Sequence, residues 1–595
     1  MREIAIPVLI VGAGPAGLAA AALLAHYDVA AVAVSRHPGT ANSPRAHITN
    51  QRTMEVLRDL GLEARVKTLA MPKEQMRHNV WATSFAGPEL ARMDGWGAGP
   101  ERAPDYAAAS PCEMCNIPQH LLEPVLLAGA RAKGAQVLFN TELIEIAQHG
   151  EQVVALMRDR VTGEDFVVRA QYAIGADGGN SLVAANMGIA MEGEMALGPA
   201  LSCWLEADLT AYCASRPGAL YWMSQPDPVL GLQSATFVCV RPWTEWVMVF
   251  TYDPEQSEAS LEEPALLARA RAIIGAPELP IRIKAVSKWT IKRAVATSMQ
   301  AGRVFLAGDA AHRHPPTNGL GTNTSVQDSY NLAWKLAMIL RGKAGPGLLD
   351  SYNEERLPVA RAVVERAMQS VYDMQPLGEA LGLAPWQTPE QMAAALEPLL
   401  ATTADSEARR AALAQAVQLQ QYQFNCHGVE LGQRYVSSAV RPDVDVAATP
   451  EHPGRDTQLY YHASSTPGAS LPHAWLSRGG QRCSTLDLAG QGRFALLTGA
   501  SGQSWRDAVE AVRDALGIDI AVHAIAAAGD GAAAECEFID VDGAWAAQRG
   551  VAEDGCVLLR PDRYVAWRSQ TLPADAPAAL LAVLNAILWP EPQDC

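Results

Sequence analysis

The chain has 595 residues, 49 % hydrophobic and 19 % charged, a balance that suits several packed domains and excludes a disordered protein. Its net charge of −17 argues against a general nucleic-acid or acidic-membrane binder, so local arginines and helix ends must meet any anionic ligand. The ten cysteines are scattered, as the reduced thiols of a cytoplasmic protein would be.

The opening MREIAIPVLIV runs straight into a glycine motif, which predicts a first strand and not a cleavable leader. No uninterrupted run of about 18 apolar residues offers a membrane span. In IPVLIVGAGPAGLAAAALLAHYDVAAVAVSR the pattern is strand, glycine turn, small-residue helix and second strand. Gly12, Gly14 and Gly17 fit G-x-G-x-x-G. The first allows the tight turn, the second lets backbone approach a pyrophosphate, and the third lets helix and strand pack closely. The second strand should end in an acid for the adenosine ribose, yet Ser35 and Arg36 stand there. The serine can make one hydrogen bond, and the arginine can cover adenine or phosphate.

SPRAHITNQRTMEVLRDLG predicts a loop entering an amphipathic helix with Met54, Leu57 and Leu60 toward the core. Arg45 in that loop either neutralises a phosphate or makes a surface ion pair. Cys112 and Cys115 have redox spacing, but no companion pair for zinc and no thioredoxin-like helix after them. Asp177 and Gly178 form a short turn after an apolar strand. Residues 195–284, rich in aromatic and β-branched types, predict a mainly antiparallel sheet.

GRVFLAGDAAHRHPPTNGLGTN reads as strand, turn and loop leading into a long helix, whose buried face is Leu332, Lys335, Leu336 and Ile339. Asp309, His312 and His314 could be metal ligands, or the Pro- and Gly-rich turn after them could hold something else; no independent cluster supports a metal. Farther on, RFALLTG, SWRDAVEAVRDAL, GIDIAVHAIA and CVLLRPDRYVAWR predict strand, helix, strand and a strand pair turning at Pro561 and Asp562, with AIAAAGDGAAAECE as an exposed loop.

With its three turns in this order, the sequence resembles the single-component flavoprotein aromatic hydroxylases, the family of 4-hydroxybenzoate hydroxylase and phenol hydroxylase. The resemblance implies an α/β fold: a Rossmann-like FAD-binding domain (1–194 and 285–400) with an inserted antiparallel substrate-binding sheet (195–284). A helical connector (401–454) and a thioredoxin-like domain without redox C-x-x-C (455–595) follow. The resemblance assigns Asp309 to the ribityl chain of FAD, Pro315 and Pro316 to the flavin ring, and the backbone of Gly321, Thr322 and Asn323 to its pyrimidine edge. Arg45, Gln119 and the Asp177–Gly178 turn correspond to further FAD contacts; the turn's usual arginine is replaced by Ala184, leaving the NADPH site without a signature. Under this reading His312 and His314 pack or hydrogen-bond within the loop.

The implied reaction uses NADPH, FAD and dioxygen, through a flavin hydroperoxide, to hydroxylate a phenol ortho to its hydroxyl and give a catechol. A homodimer or homotetramer is expected. His47 is the candidate base beside the substrate hydroxyl, or else a structural histidine. Tyr221, Trp222, Met223 and Pro316 are the other expected substrate contacts, while Arg241 keeps a carboxylated substrate open. Rival readings are a related flavoprotein acting on another aromatic, or a non-catalytic flavin-fold binding protein. The family's halogenase signature W-x-W-x-I-P is only partly kept in KWTIKR. Cys536 and Cys556 are far apart in sequence, so the tail is expected to pack or assemble without redox chemistry.

Overall fold

The computed structural model describes residues 2–227, 231–252, 261–384, 387–401, 404–443, 454–529 and 536–590. Residues 228–230, part of the expected connector (444–453) and the middle of the expected loop (530–535) lie outside the described residues.

Three sheets organise the molecule. The first carries the parallel strands Arg2–Val11, Ala31–Val34, Gln136–Leu138, Asp165–Gly175 and Val304–Leu306, extended by the antiparallel pair Thr141–His149 and Gln152–Asp159. Arg2–Val11 is exposed at its start and fully buried from Val8 to Val11, where apolar residues occupy consecutive positions because both faces are covered. The helix Pro15–His26 is alanine-rich and buried from Ala16 to Leu24, thin enough to lie against the sheet. Met54, Leu57 and Leu60 are buried, as their spacing predicts.

The second sheet is mixed rather than wholly antiparallel. Its strands run His312–Arg313, Arg282–Ala296, Met191–Glu206, Glu245–Thr251, Gly231–Arg241, Gly218–Asp227, His78–Ala82 and Glu89–Asp94. The pairing of Gly218–Asp227 with His78–Ala82 is parallel. The expected boundaries at 194/195 and 284/285 therefore cut through continuous strands, and the sheet recruits two strands from the amino-terminal segment. Nothing in their local pattern distinguishes those two from strands of the first sheet.

The third sheet holds Trp475–Arg478, Gln481–Ser484, Phe494–Thr498, Ile520–Ala527, Phe538–Asp540, Cys556–Leu559 and Val565–Ser569. Phe494–Thr498 and Ile520–Ala527 are parallel, joined by the helix Ser504–Leu516; Cys556–Leu559 and Val565–Ser569 add antiparallel strands. The helix Ala576–Leu588 follows. Among the described residues no helix is long and apolar enough to cross a membrane.

The helix Gly321–Leu340 departs from its expected amphipathic form. It is buried continuously from Asn323 to Met338, and Lys335 is wholly enclosed, with Nζ 2.9 Å from Glu355 and 2.8 Å from Asn331 Oδ1. Protein packs around the helix, so most of its polar residues, Asn323, Ser329, Tyr330, Asn331 and Lys335 among them, are paired internally rather than solvated.

Candidate active site

Three turns leave neighbouring parallel strands at one level. Val11 pairs with Gly175, and Gly175 with Leu306, so the glycine turn, the Asp177–Gly178 turn and the Gly308–Asp309 turn all open at the carboxyl edge of the sheet. Ligands of open α/β sheets bind at such an edge. The turns also touch. A Cβ on Gly12, which has φ +112°, would lie 2.0 Å from the Ala176 carbonyl oxygen and 3.0 Å from Asp177 N. On Gly308, with φ +63°, it would lie 2.8 Å from Ser325 Oγ and 3.2 Å from Ala16 Cβ. Side chains at either position would push the turns apart.

Two helix ends face this junction without side-chain caps. Pro15–His26 begins at Gly14, and Gly321–Leu340 begins after Leu320. Their first N–H groups are left for a ligand, and the dipole of each favours negative charge there. Asp309 is exposed between buried Gly308 and Ala310, and its carboxylate takes no hydrogen bond from the described residues. The cradle thus has the parts that FAD requires: two positive helix ends for phosphate and reduced ring, and a carboxylate for hydroxyls.

Other expected cofactor contacts fall around this cradle in different states. Arg45 and Arg36 are exposed. Ser35 is buried, its Oγ accepting the His37 N–H at 3.3 Å. Gln119 Nε2 donates to Glu123 Oε1 at 2.6 Å, which leaves the amide oxygen as its outward acceptor. Asp177 has its carboxylate engaged within the protein, so the expected contact of the Asp177–Gly178 turn would fall to its backbone. Its Oδ1 accepts from Ser181 at 2.6 Å and its Oδ2 from Leu182 and Val183 N, so the carboxylate is spent holding the start of the helix Leu182–Asn186. Asn323 is likewise engaged internally. Its Nδ2 donates to the Ile48 and Gly319 carbonyls, and its Oδ1 accepts from Asn50 N.

Those Asn323 bonds place His47 beside the Gly321–Asn323 turn. The segment after His47 forms the two-residue ladder Ile48–Thr49 with Cys115–Asn116. His47 is half-buried, with Nδ1 3.1 Å from Asn116 Oδ1. Asn116 is fully buried, and its Nδ2 donates to the Cys239 carbonyl at 3.1 Å. That donation turns the Asn116 oxygen toward His47, so the network assigns the proton to Nδ1 and a bare lone pair to Nε2. Burial lowers the imidazole to about 4 against the opposing pull of the Asn116 bond.

Strand alternation divides the expected substrate residues. Tyr221 is wholly buried against Phe85 and Trp246, with its hydroxyl donating to the Arg216 carbonyl at 2.8 Å. Met223 shares that face, as does Gln225, which bonds the carbonyl of Ala272 in the helix Glu263–Ile274. Tyr221 and Met223 are thus packing residues of the helix-covered face. Trp222 points the other way, its ring centroid 6.4 Å from that of Phe424. Phe424 lies two residues after Tyr422, whose carbonyl accepts Asn318 Nδ2 at 2.6 Å, so it flanks the Pro315–Gly321 loop. Pro316 is exposed on that loop and Pro315 buried. Arg241 is largely exposed and 3.6 Å from Glu245, which gives no buried carboxylate anchor.

His312 and His314 diverge. His312 Nε2 lies 2.8 Å from Asp328, while His314 Nδ1 donates to the Pro315 carbonyl at 2.6 Å. No group of three metal-ligating side chains occurs among the described residues. Cys112 and Cys115 are buried free thiols, pushed up by desolvation, which disfavours the reactive thiolate.

Sequence reasoning missed the groups behind the loop. Asn318 Nδ2 lies 3.4 Å from Cys426 Sγ, itself 3.8 Å from Glu430 Oε1. Glu430 is buried, its Oε2 has no hydrogen-bond partner, and desolvation pushes the carboxyl up to about 8. The folded chain therefore holds this proton at pH values where an unfolded chain, with an ordinary carboxyl near 4.5, has released it. Stability is lost as pH rises through that window, by up to about 1.4 kcal/mol per unit, and levels off above about 8. Glu430→Gln should melt progressively higher than the parent between pH 5 and 8. Calorimetric curves that stay parallel across that range would contradict a buried, protonated acid.

Comparison with known proteins agrees with the cradle. The family model described as FAD binding domain matches residues 5–367, and that described as aromatic-ring hydroxylase, C-terminal, matches 464–589. The chain is 45 % identical to 2,4-dichlorophenol 6-monooxygenase of Delftia acidovorans over 584 residues, covering 98 % of each. It is 41 % identical to phenol 2-monooxygenase of Pseudomonas sp. (strain EST1001), covering 98 % of this chain and 93 % of that one. The crystal structure of the flavin-dependent monooxygenase PieE in complex with FAD and substrate superposes with a TM-score of 0.93 at 45 % identity, over 98 % of this chain and all of that one.

Proposed function

Because the chain belongs to the FAD-binding aromatic-ring hydroxylases, we propose that it is a flavin-dependent monooxygenase converting a simple or chlorinated phenol to the catechol. Phenol, dioxygen, NADPH and a proton give catechol, water and NADP+. The observation that carries this reading is the junction of three turns beneath two uncapped helix ends, with His47 beside it.

Bound FAD supplies the electron transfer and oxygen chemistry that side chains lack. Asp309 would hold hydroxyls of FAD, the N–H groups after Gly14 would meet its phosphates, and those of Gly321, Thr322 and Asn323 would favour the negative charge of its reduced ring. Pro316 borders the ring, and Trp222 walls the aromatic substrate. Asn116 fixes the His47 tautomer, and Nε2 accepts a hydrogen bond from the phenol hydroxyl. A nitrogen of such low basicity polarises that O–H bond and draws the proton as the ring gives up electron density, without ionising the phenol beforehand. Anchoring that group activates the ortho and para carbons alike, and the ortho outcome is the one that the relatives' names, 2,4-dichlorophenol 6-monooxygenase and phenol 2-monooxygenase, support. In the tail, the strand–helix–strand unit followed by two antiparallel strands and a helix supports reading it as thioredoxin-like, in a packing role.

The test is NADPH consumption by purified protein against a panel of phenols, with catechol formation quantified. Stoichiometric catechol from a mono- or dichlorophenol is expected. Consumption that yields only hydrogen peroxide across the panel would reject the phenol assignment, and a colourless protein that refuses FAD would reject the enzyme.

A further inference from the structure

The carboxy-terminal sheet reaches the cradle through one turn. Between Cys556–Leu559 and Val565–Ser569, the residues Arg560, Asp562, Arg563 and Tyr564 are all buried. Arg560 Nη2 lies 2.9 Å from Glu355 Oε2 and 2.5 Å from Asp562, and its Nη1 bonds the other Glu355 oxygen. Glu355 in turn accepts from Lys335 and Asn331 of the helix Gly321–Leu340. Arg563 Nη2 lies 2.9 Å from Asp59, which also accepts from Tyr330 at 3.0 Å. Asp59 closes the helix Gln51–Asp59, which begins four residues after His47. The turn thus grips the far end of Gln51–Asp59 and the middle of Gly321–Leu340, two helices whose near ends adjoin the candidate site.

A second set of contacts continues from there to the flavin turn. Next to Glu355, Arg356 donates from Nε to Asp328 Oδ1 at 2.8 Å and from Nη1 to Gln433 and the Tyr435 hydroxyl, both at 3.0 Å. Asp328 Oδ2 accepts the Gly308 N–H at 3.0 Å and His312 Nε2 at 2.8 Å. Tyr435 stacks on Tyr564 of the turn, with centroids 4.1 Å apart. Asp328, Arg356, Glu355 and Arg560 are completely enclosed or nearly so, where an ion that loses its partner is strongly unfavourable and the arrangement is held as a unit. Asp309, which stands immediately after Gly308, has no internal bond to its carboxylate to hold it in position.

We propose that the carboxy-terminal domain is part of the flavin-binding machinery: its Arg560–Tyr564 turn, acting through Glu355, Arg356 and Asp328 as positioning residues, sets the Gly308–Asp309 turn for FAD. This rests on the reading above that the cradle binds FAD. Linkage makes the effect reciprocal. If seating of the turn strengthens FAD binding, FAD must strengthen seating by the same factor, roughly 5- to 150-fold for coupling of ordinary size.

The experiment uses the full chain. FAD dissociation constants are measured for the parent, Arg560→Met, Asp328→Asn and the double variant, alongside amide hydrogen exchange of the parent with and without FAD. Each single variant should weaken FAD within that range, the double variant should weaken it by less than the product, and FAD should slow exchange at residues 556–565 as well as around 308–330. A folded Arg560→Met that keeps parental FAD affinity, or strictly multiplicative effects, would overturn the proposal. Should Arg560→Met fail to fold, exchange in the parent decides: FAD protection confined to 308–330 counts against it. A merely structural role would lower the melting temperature of the flavin-free chain yet leave exchange at 556–565 blind to FAD. A parent chain that takes up no FAD refutes both this proposal and the functional reading, whereas FAD uptake without coupling refutes this proposal alone.

Discussion

Asp309→Ala is expected to release FAD. The carboxylate is exposed on a turn of buried neighbours and takes no hydrogen bond from the described residues, only the longer-range attraction of Arg313, so its loss should leave the turn in place. The backbone carbonyl of residue 309 still accepts Arg313 Nε, at 2.9 Å in the parent. What disappears is a charge-assisted hydrogen bond to a ligand hydroxyl, worth about 1.5–3 kcal/mol, or roughly ten- to hundredfold in affinity. Fluorescence titration of the flavin-free protein measures this directly. Binding within twofold of the parent would remove Asp309 from the flavin site.

His47→Ala should separate the two halves of the catalytic cycle. Loss of a positioned proton acceptor is expected to slow hydroxylation about 10²- to 10⁴-fold. Reduction of bound flavin by NADPH, which does not use the phenol hydroxyl, should change little. Stopped-flow absorbance resolves the two steps, and equal slowing of both would exclude the role assigned here. The pH dependence has a fixed sign. His47 is neutral above about 4, so its contribution persists through the neutral range and is lost only as acidity protonates Nε2 near that value. Asn116→Leu keeps the imidazole but frees its tautomer, and should give part of the loss with little change in FAD affinity.

What the sequence disclosed and what it hid divide along sequence distance. Gly12, Gly14 and Gly17 act within one strand–turn–helix unit, so their pattern is complete in six residues, and the local conformations they permit are backbone properties. The Gly308–Asp309 turn is equally local, but the role given to Asp309 came from the family resemblance and not from the pattern itself. Asn116 was not, because its partner lies 69 residues away and nothing in CEMCN marks an amide aimed at an imidazole. Tyr221, Trp222 and Met223 form a hydrophobic run in which the chain alone does not say which parity faces which neighbour. The answer came from the helix Glu263–Ile274 and from Phe424. Asp177 carries a familiar motif, yet its side chain serves the helix Leu182–Asn186 through local bonds that the Asp-Gly pattern does not reveal. Lys335 shows the limit of periodicity. Spacing put it on a buried stripe, but the whole helix is enclosed by elements far off in the chain, the helices Pro15–His26 and Gln51–Asp59 among them, and Lys335 shares Glu355 with Arg560, more than two hundred residues later.

The two-residue repeat of the strand Gly218–Asp227 bears on how this protein could be retrained toward other aromatics. Leu220 and Trp222 share one parity and pair across the sheet with Val238 and Thr236. On the proposed reading that Trp222 walls the substrate, exchanges on its parity would alter the contours that a visiting ring meets, whereas Ala219, Tyr221 and Met223 pack in the scaffold's interior. A randomised library restricted to the even-numbered quartet should yield mostly soluble clones with shifted preferences, while one aimed at the odd-numbered trio should yield mostly aggregates.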